Sequence, residues 1–465
     1  MKVKKFRRTL ASVSVLTISG AILAGCGTGT PSSNSSSSSS SSAGSNQTGN
    51  SASTTSTGSN KGTLKIIMWV NPPAVAAIQK IDAEFTKKYG VQVDLQTTAN
   101  RTTNYAAAEQ TAVQAGSADI MAIEPVQPLP QKVNSNTLSQ EQEWAINKVF
   151  MPLNNQPWVS KFNQADLAAA AYNGQDYGLV TGVYQTGVFY NKAMFKKYNL
   201  QVPTTYNQLI QISKTLKSHG VTPAWDGLGG GVIQWLQFIM YPLMMDELAP
   251  QLNGASADQA LASGRIKWTD ATMLKVFQRE QQYASNYLEP NYAGQDWQQM
   301  PGAFAAGKSA MLFDGSWDVA SVLKANPNIQ VGYFPFPGSN TAANNKSVLN
   351  ADLTWVVLNS SKHKTLAEEW LNFFASKPIY SQYVQMTGIS PSENGTFTSA
   401  TQQIMGKWFG TGRLIQQSAN FLIPSGPYYL QPTNFWATQL KMTQGGMTPA
   451  QLAQDYQTSQ NQALK

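Results

Sequence analysis

The chain has 465 residues, only 12% of them charged, with one cysteine, two histidines and a formal charge of +8. Five of the 33 basic residues are Lys2, Lys4, Lys5, Arg7 and Arg8, so the remainder carries 28 basic against 25 acidic side chains and no dense basic patch for nucleic acid. One cysteine excludes an internal disulfide and a multi-cysteine metal site, and two isolated histidines exclude the usual zinc site, so neither metal nor cofactor is expected. Low charge with abundant Trp, Tyr, Asn and Gln suits a neutral, hydroxyl-rich ligand better than an ionic one.

The basic start is followed by an apolar, small-residue stretch at positions 10–23. At about fourteen residues it falls short of the ~20 that span a bilayer, so it reads as a signal peptide over 1–25. It ends in Leu23-Ala24-Gly25-Cys26, which resembles the lipobox of bacterial lipoproteins, where the cysteine thiol takes a diacylglycerol before cleavage. Two acyl chains anchor stably, where one is marginal. The alternative is a soluble secreted protein cut near Ala24. Residues 26–60 become almost entirely Ser, Gly, Thr and Asn, a flexible tether with nothing to bury. A lipidated Cys26 on a long tether places the protein on the outer face of a cell membrane, with a thick Gram-positive wall to cross.

The remaining 400 or so residues exceed one hydrophobic core and predict two lobes. Leu64-Lys65-Ile66-Ile67-Met68-Trp69 reads as a buried strand, broken by Asn71-Pro72-Pro73. Ile78, Ile81, Phe85 and Tyr89 then mark one face of a helix that Gly90 stops. Val91, Val93 and Leu95 alternate as a second strand, a helix follows around Tyr105 to Ala115, and residues 118–123 form a third strand. This β-α-β-α-β order predicts a mostly parallel sheet with helices on both faces. Ligands in such sheets sit at the carboxyl ends of strands, which singles out Trp69, Asn71 and Glu124. Further on, Thr205-Tyr206-Asn207-Gln208 has capping-box spacing ahead of Leu209, Ile212 and Leu216. The run Gly227-Leu228-Gly229-Gly230-Gly231 lacks the Lys-Ser/Thr ending of a phosphate loop. Residues 353–358 read as a strand with Trp355 in the core, and Thr448-Pro449 opens the last helix.

Several stretches in order now resemble one family. They are Phe85-Thr86-Lys87-Lys88-Tyr89-Gly90, Ala115-Gly116-Ser117-Ala118-Asp119-Ile120, Tyr172-Asn173-Gly174-Gln175-Asp176-Tyr177-Gly178 and Phe189-Tyr190-Asn191-Lys192-Ala193-Met194-Phe195. Phe304-Ala305-Ala306-Gly307-Lys308-Ser309-Ala310-Met311, Gly315-Ser316-Trp317 and Gly332-Tyr333-Phe334-Pro335-Phe336-Pro337-Gly338 continue the pattern. Each is weak alone; together, from residue 62 to the end, they resemble the solute-binding proteins of bacterial sugar ABC importers, the group that includes maltodextrin-binding proteins. The resemblance implies an α/β, type II periplasmic-binding-protein-like fold, with mixed sheets flanked by helices and a ligand cleft between two lobes. We place lobe 1 at 61–183 plus 332–386 and lobe 2 at 184–331 plus 387–465. It also implies hinge closure around a neutral sugar, no catalytic step, a monomer, and delivery to a permease pair with ATPase subunits.

Aromatic rings bury the flat faces of sugars while Asp, Glu, Asn and Gln take the hydroxyls. The resemblance places Trp317 and Trp436 where the family stacks sugar rings, and Tyr184 at the first crossover. Trp225 and Trp235 flank the glycine run, Asp314 precedes Gly315-Ser316-Trp317, and Asp352 lies in a loop facing the cleft. Each tryptophan also reads as core, and each carboxylate as a cap. The chain departs from maltodextrin binders at Ile123-Glu124-Pro125, where those carry an aromatic and acidic pair, so the sugar's identity stays open. Other readings also stay open: a binder of another neutral solute such as a peptide, a signalling lipoprotein, and a glycoside hydrolase using Asp314 and Asp352 as its two carboxylates.

Overall fold

The structure, a computed structural model, describes residues 62–99, 104–123, 140–229, 233–252, 257–414 and 432–463. The expected signal peptide, Cys26, the tether and Glu124 lie outside the described residues. In chain order the strands are β1 Thr63–Trp69, β2 Gln92–Thr98, β3 Ile120–Ile123, β4 Ala171–Tyr172, β5 Gln175–Asp176, β6 Gly178–Val180, β7 Gly182–Asn191, β8 Thr222–Trp225, β9 Ser309–Gly315, β10 Val331–Phe334, β11 Val348–Ala351, β12 Thr354–Val357, β13 Ser390–Pro391 and β14 Arg413–Leu414.

The first sheet has the order β2-β1-β3-β12-β6. β1 pairs in parallel with β2 and β3, as the β-α-β-α-β order requires. β12 enters antiparallel between β3 and β6, so the sheet is mixed. Its first helix, Pro72–Tyr89, starts where the sequence signals it. The Asn71 side chain accepts from the Ala74 N–H at 3.2 Å, and prolines fill the first turn, where a missing N–H costs nothing. Ile78, Ile81 and Phe85 are buried, and Phe85 packs on Phe373 at 5.5 Å.

The second sheet has the order β14-β11-β7-β9-β8, with β10 and β13 also pairing with β7. The capping box is complete: Thr205 Oγ1 accepts from Gln208 N–H, and Gln208 Oε1 accepts from Thr205 N–H at 3.2 Å. Helix Tyr206–Ser218 follows, with Leu209, Ile212 and Leu216 buried. Helix Pro449–Ala463 opens on the same device, built from Thr448 and Gln451.

Two separate cores form. One gathers Phe85, Trp355, Trp370 and Tyr380; the other gathers Trp268, Phe277, Tyr283 and Phe313. They correct the expected boundaries. Residues 332–350 belong to lobe 2, because β10 and β11 pair with β7 and Tyr333, Phe334 and Val348 pack in the second core. Ile389 and Phe397 pack in the first core on either side of β13, which pairs with β7, so the last crossover runs through 389–397. Hydrophobic alternation marks a strand without saying which sheet it joins.

The crossovers lie side by side. Val183 pairs with Ala351 on one side and Ser390 on the other. Asp352 N–H donates to Gly182 O at 2.8 Å, and Thr181 N–H to Leu353 O at 3.1 Å. A Cβ at Gly182 would lie 2.5 Å from Ser390 O, so the ribbon closes only with glycine there. The Tyr380 hydroxyl bolts the ribbon to lobe 1, donating to Thr181 O at 2.7 Å and accepting from Ser392 N–H at 2.8 Å.

Candidate functional site

The strand registers define the edge of each sheet that meets the crossovers. In lobe 1 this edge holds the carboxyl ends of β1 and β3; in lobe 2 it holds those of β8, β9 and β11 beside the start of β7. These are the strand ends where a ligand binds in α/β sheets.

On the lobe 2 edge, β9 ends in Asp314-Gly315 and the chain turns sharply through Ser316–Asp318. The turn lays the Trp317 ring back over Gly315, where a Cβ would come within 1.9 Å of the ring. Tyr184, on β7, meets Trp317 edge-on at 4.8 Å and 85°. Trp235 and Phe238 approach the same ring at 5.9 and 5.8 Å. Trp297 packs on Trp235 at 5.1 Å. Trp317 and Trp297 are half-buried while Trp235, Phe238 and Tyr184 are buried, so two rings keep an accessible surface on a rigid aromatic base.

Of the ten proposed ligand contacts, the structure brings Tyr184, Trp235 and Trp317 together, with Asp314 beneath. Asp314 is fully buried, and its Oδ1 accepts from Gly315 N–H at 2.7 Å. Trp225 is buried on β8, outside this ring cluster, and its indole N–H has no hydrogen-bond partner among the described residues. Trp436 is 3% exposed in the lobe 2 core, against Phe435 at 4.9 Å and Tyr241 at 6.0 Å. Asp352 is half-buried in the crossover ribbon. On lobe 1, Asn71 caps a helix. Trp69 is 8% exposed against Tyr105, whose hydroxyl donates to Ala122 O at 2.6 Å.

Sequence reasoning missed Trp297 and Phe238. Trp297 had a signal: a lone aromatic in a polar, charge-poor run, Gly294-Gln295-Asp296-Trp297-Gln298-Gln299. Phe238 had none, sitting in a continuous apolar helix, Gln237–Leu252. Asp318, Asp226 and Glu280 were also missed. Burial pushes the Asp226, Glu280 and Asp314 carboxyls well above the usual range, which favours the neutral acid, and raises Asp318 to about 6. No ion pair among the described residues reaches these acids. Nor does any group of three or more His, Cys, Asp or Glu among the described residues sit where it could hold a metal.

The two carboxylates required for a hydrolase are not brought together. Asp314 faces Gly187 on one side of β7, and Ala351, before Asp352, faces Val183 on the other. Four residues of rise and two strand spacings set these backbones roughly 16 Å apart, whereas glycosidases need carboxyls about 5 to 10 Å apart.

Two α/β lobes on a crossover ribbon, with accessible rings on one facing edge, define a type II, two-lobed solute-binding protein. The chain belongs to the bacterial extracellular solute-binding protein family, whose model matches residues 70–379. It is 23% identical over 250 residues to the multiple sugar-binding protein of Streptococcus mutans serotype c, covering 53% of this chain and 58% of that one. It is 26% identical over 220 residues to the glucose-binding protein GlcS of Saccharolobus solfataricus, covering 42% and 39%. The chain thus spans about half the length of these relatives. The raffinose complex of the binding protein RafE superposes with a TM-score of 0.69 at 20% identity, covering 87% of this chain and all of that one, a likeness of fold.

Proposed function

We propose that this protein captures a neutral oligosaccharide by hinge closure and hands it to an ABC importer, without turning it over. The observation that carries this reading is the aromatic wall of Tyr184, Trp235, Trp297 and Trp317, two of whose rings stay accessible. Flat apolar rings match the C–H faces of sugar rings, and a wall of several rings suits more than one sugar unit. The neutral character of the neighbouring acids keeps an ionic ligand at no advantage. The sugar-binding relatives add support. We further propose that Cys26 carries the lipid that holds a monomer at the outer face of the membrane. Of the remaining candidates, Trp69, Asn71, Glu124, Trp225, Asp352 and Trp436, we assign none a direct contact here.

The test is thermal unfolding against a panel of mono- and oligosaccharides, with peptides as the contrast. A ligand bound only to the folded form adds RT ln(1 + [L]/Kd), about 2.7 kcal/mol at a hundredfold excess over Kd. Oligosaccharides are expected to raise the melting temperature. Stabilisation by peptides alone would sink the carbohydrate reading. Trp317→Ala is expected to cost about 2 kcal/mol of binding, roughly 30-fold in Kd, while the unliganded protein stays folded.

A further inference from the structure

We propose that Ser316 is the positioning residue that sets the Trp317 ring for the ligand. The inference rests on the reading that Trp317 touches the ligand, and deepens it. Gly315 is the last residue of β9 and pairs with Thr186 on β7. One more step of this antiparallel ladder would set Ser316 opposite Gln185 and carry residue 317 past the edge of the sheet. The chain turns away there instead, through Ser316–Asp318, and the Ser316 carbonyl accepts from the Val319 N–H within the turn. That leaves the Gln185 N–H without a main-chain acceptor on β9. The Ser316 hydroxyl takes the carbonyl's place: its Oγ accepts from the Gln185 N–H at 3.1 Å, with both residues 1% exposed. A buried backbone N–H must be paired, so this bond fixes the point where the turn leaves the strand.

The anchor is itself held. Gln185 Nε2 donates to the Trp408 carbonyl at 2.6 Å and the Thr411 carbonyl at 3.0 Å, and Oε1 accepts from the Gly410 N–H at 3.0 Å. Its main chain thus holds the turn, and its side chain holds the loop 408–411 that follows the last crossover. On its other side the turn rests at the entry to that crossover. A Cβ at Gly388, where φ is +70°, would lie 3.6 Å from Ser316 O, and Gly388 closes the lobe 1 helix Lys377–Thr387. With Ser316 fixed from two sides, the ring of the next residue folds back onto the bare face of Gly315, where a Cβ would meet it at 1.9 Å. Tyr184, the neighbour of Gln185 on β7, stands edge-on to that ring at 4.8 Å. Successive strand residues face opposite sides of a sheet. Tyr184 therefore meets the platform on one face, while Gln185 ties down the loop behind it on the other.

Ser316→Ala leaves the Gln185 N–H buried without its acceptor, whereas Ser316→Thr keeps the hydroxyl. The full chain, labelled with 5-fluorotryptophan, is read by fluorine NMR. The Trp317 and Trp355 resonances are assigned by their loss in Trp317→Phe and Trp355→Phe. Ser316→Ala should shift or broaden the Trp317 line and leave the line of Trp355, buried in the other lobe, in place. Ser316→Thr should restore the Trp317 line. Raffinose, stachyose and maltotriose serve as binding probes. Ser316→Ala should weaken the tightest of them about 5-fold, as the loss of one buried hydrogen bond implies, and Ser316→Thr should recover the wild-type affinity. A Trp317 line unmoved by Ser316→Ala overturns the proposal. So does a moved line with wild-type affinity for a probe that Trp317→Ala loses. If Ser316→Ala does not fold, the wild type decides: a Trp317 line as narrow as that of Trp355 supports a fixed ring, and one broadened by exchange overturns it. If no probe binds the wild type, or Trp317→Ala binds them equally well, the ligand reading falls while the NMR series still judges the anchor.

Discussion

Trp69 ends β1 and Trp317 lies two residues past the end of β9, one in each lobe, on the edges that meet the crossovers, and their fates differ. After Trp69 the chain runs into a proline-opened helix, Asn71 is used to cap it, and Tyr105 covers the indole. After β9 the chain makes a one-turn reversal, and a glycine lets the Trp317 ring fold back, half-buried. A strand-end tryptophan stays half-buried where the backbone turns away beneath it, and becomes a core residue where the chain runs on into a helix and an aromatic packs against it. In the proposed reading the lobe 2 edge is the platform, and lobe 1 is the half that closes on it.

The largest effect tests this contrast on lobe 1. Trp69→Ala should destabilise the protein by about 3–5 kcal/mol, the range for emptying a large buried aromatic site. Sugar affinity of the folded fraction should stay within about twofold, since a residue away from the ligand contributes little to binding. Denaturant unfolding and calorimetric titration measure the two quantities. Intact stability with lost affinity would place Trp69 in the cleft and undo the asymmetry between the lobes.

Next in size is a buried acid of lobe 1. Asp82 lies under Trp370, whose indole N–H donates to its Oδ1 at 2.8 Å, yet burial dominates and pushes its carboxyl up to about 7. The folded state then holds a proton that the unfolded state releases near 4, so stability falls as pH rises from about 4 to 7 and stays lower above. Asp82→Asn removes this titration. At pH 8 the variant should be more stable than the wild type by on the order of 2 kcal/mol, and the difference should vanish near pH 4. A constant difference across that range would mean that Asp82 is ionised in the fold.

What the sequence made legible divides along the same physical line. Thr205 and Gln208 announce their capping box because both partners lie within one turn, and Asn71-Pro72-Pro73 announces a helix start for the same reason. Trp317 was singled out by the family resemblance, and the turn after Gly315 that folds its ring back was not foreseen. The lobe that takes β10 was not, because that choice is made by pairing with β7, some 140 residues earlier. Trp436, like Trp317, was singled out by the family resemblance. Only the packing of its helix against Tyr241 separates core from cleft.

The smallest effect concerns the ribbon between the lobes. The Tyr380 hydroxyl holds Thr181 O on one crossover and the Ser392 N–H on another, so it couples two chain passages to a lobe 1 helix, Lys377–Thr387. Tyr380→Phe keeps the ring, which packs on Phe162 at 5.3 Å and Phe397 at 5.3 Å, and removes these bonds with a longer third one from the Glu393 N–H at 3.3 Å. The stability cost should be about 1 kcal/mol, with the Thr181 carbonyl and the Ser392 N–H left in search of new partners. The informative readout is shape. A ligand shifts an open–closed equilibrium only by its differential affinity for the two states, so a change in hinge stiffness alters the unliganded population and leaves the contacts of the wall alone. Small-angle scattering of the variant without sugar should show a changed radius of gyration, while the saturated form matches the wild type. An unchanged unliganded shape would show that Tyr380 braces lobe 1 only. The difference between the lobes would then lie entirely in their edges, with nothing contributed by the ribbon that joins them.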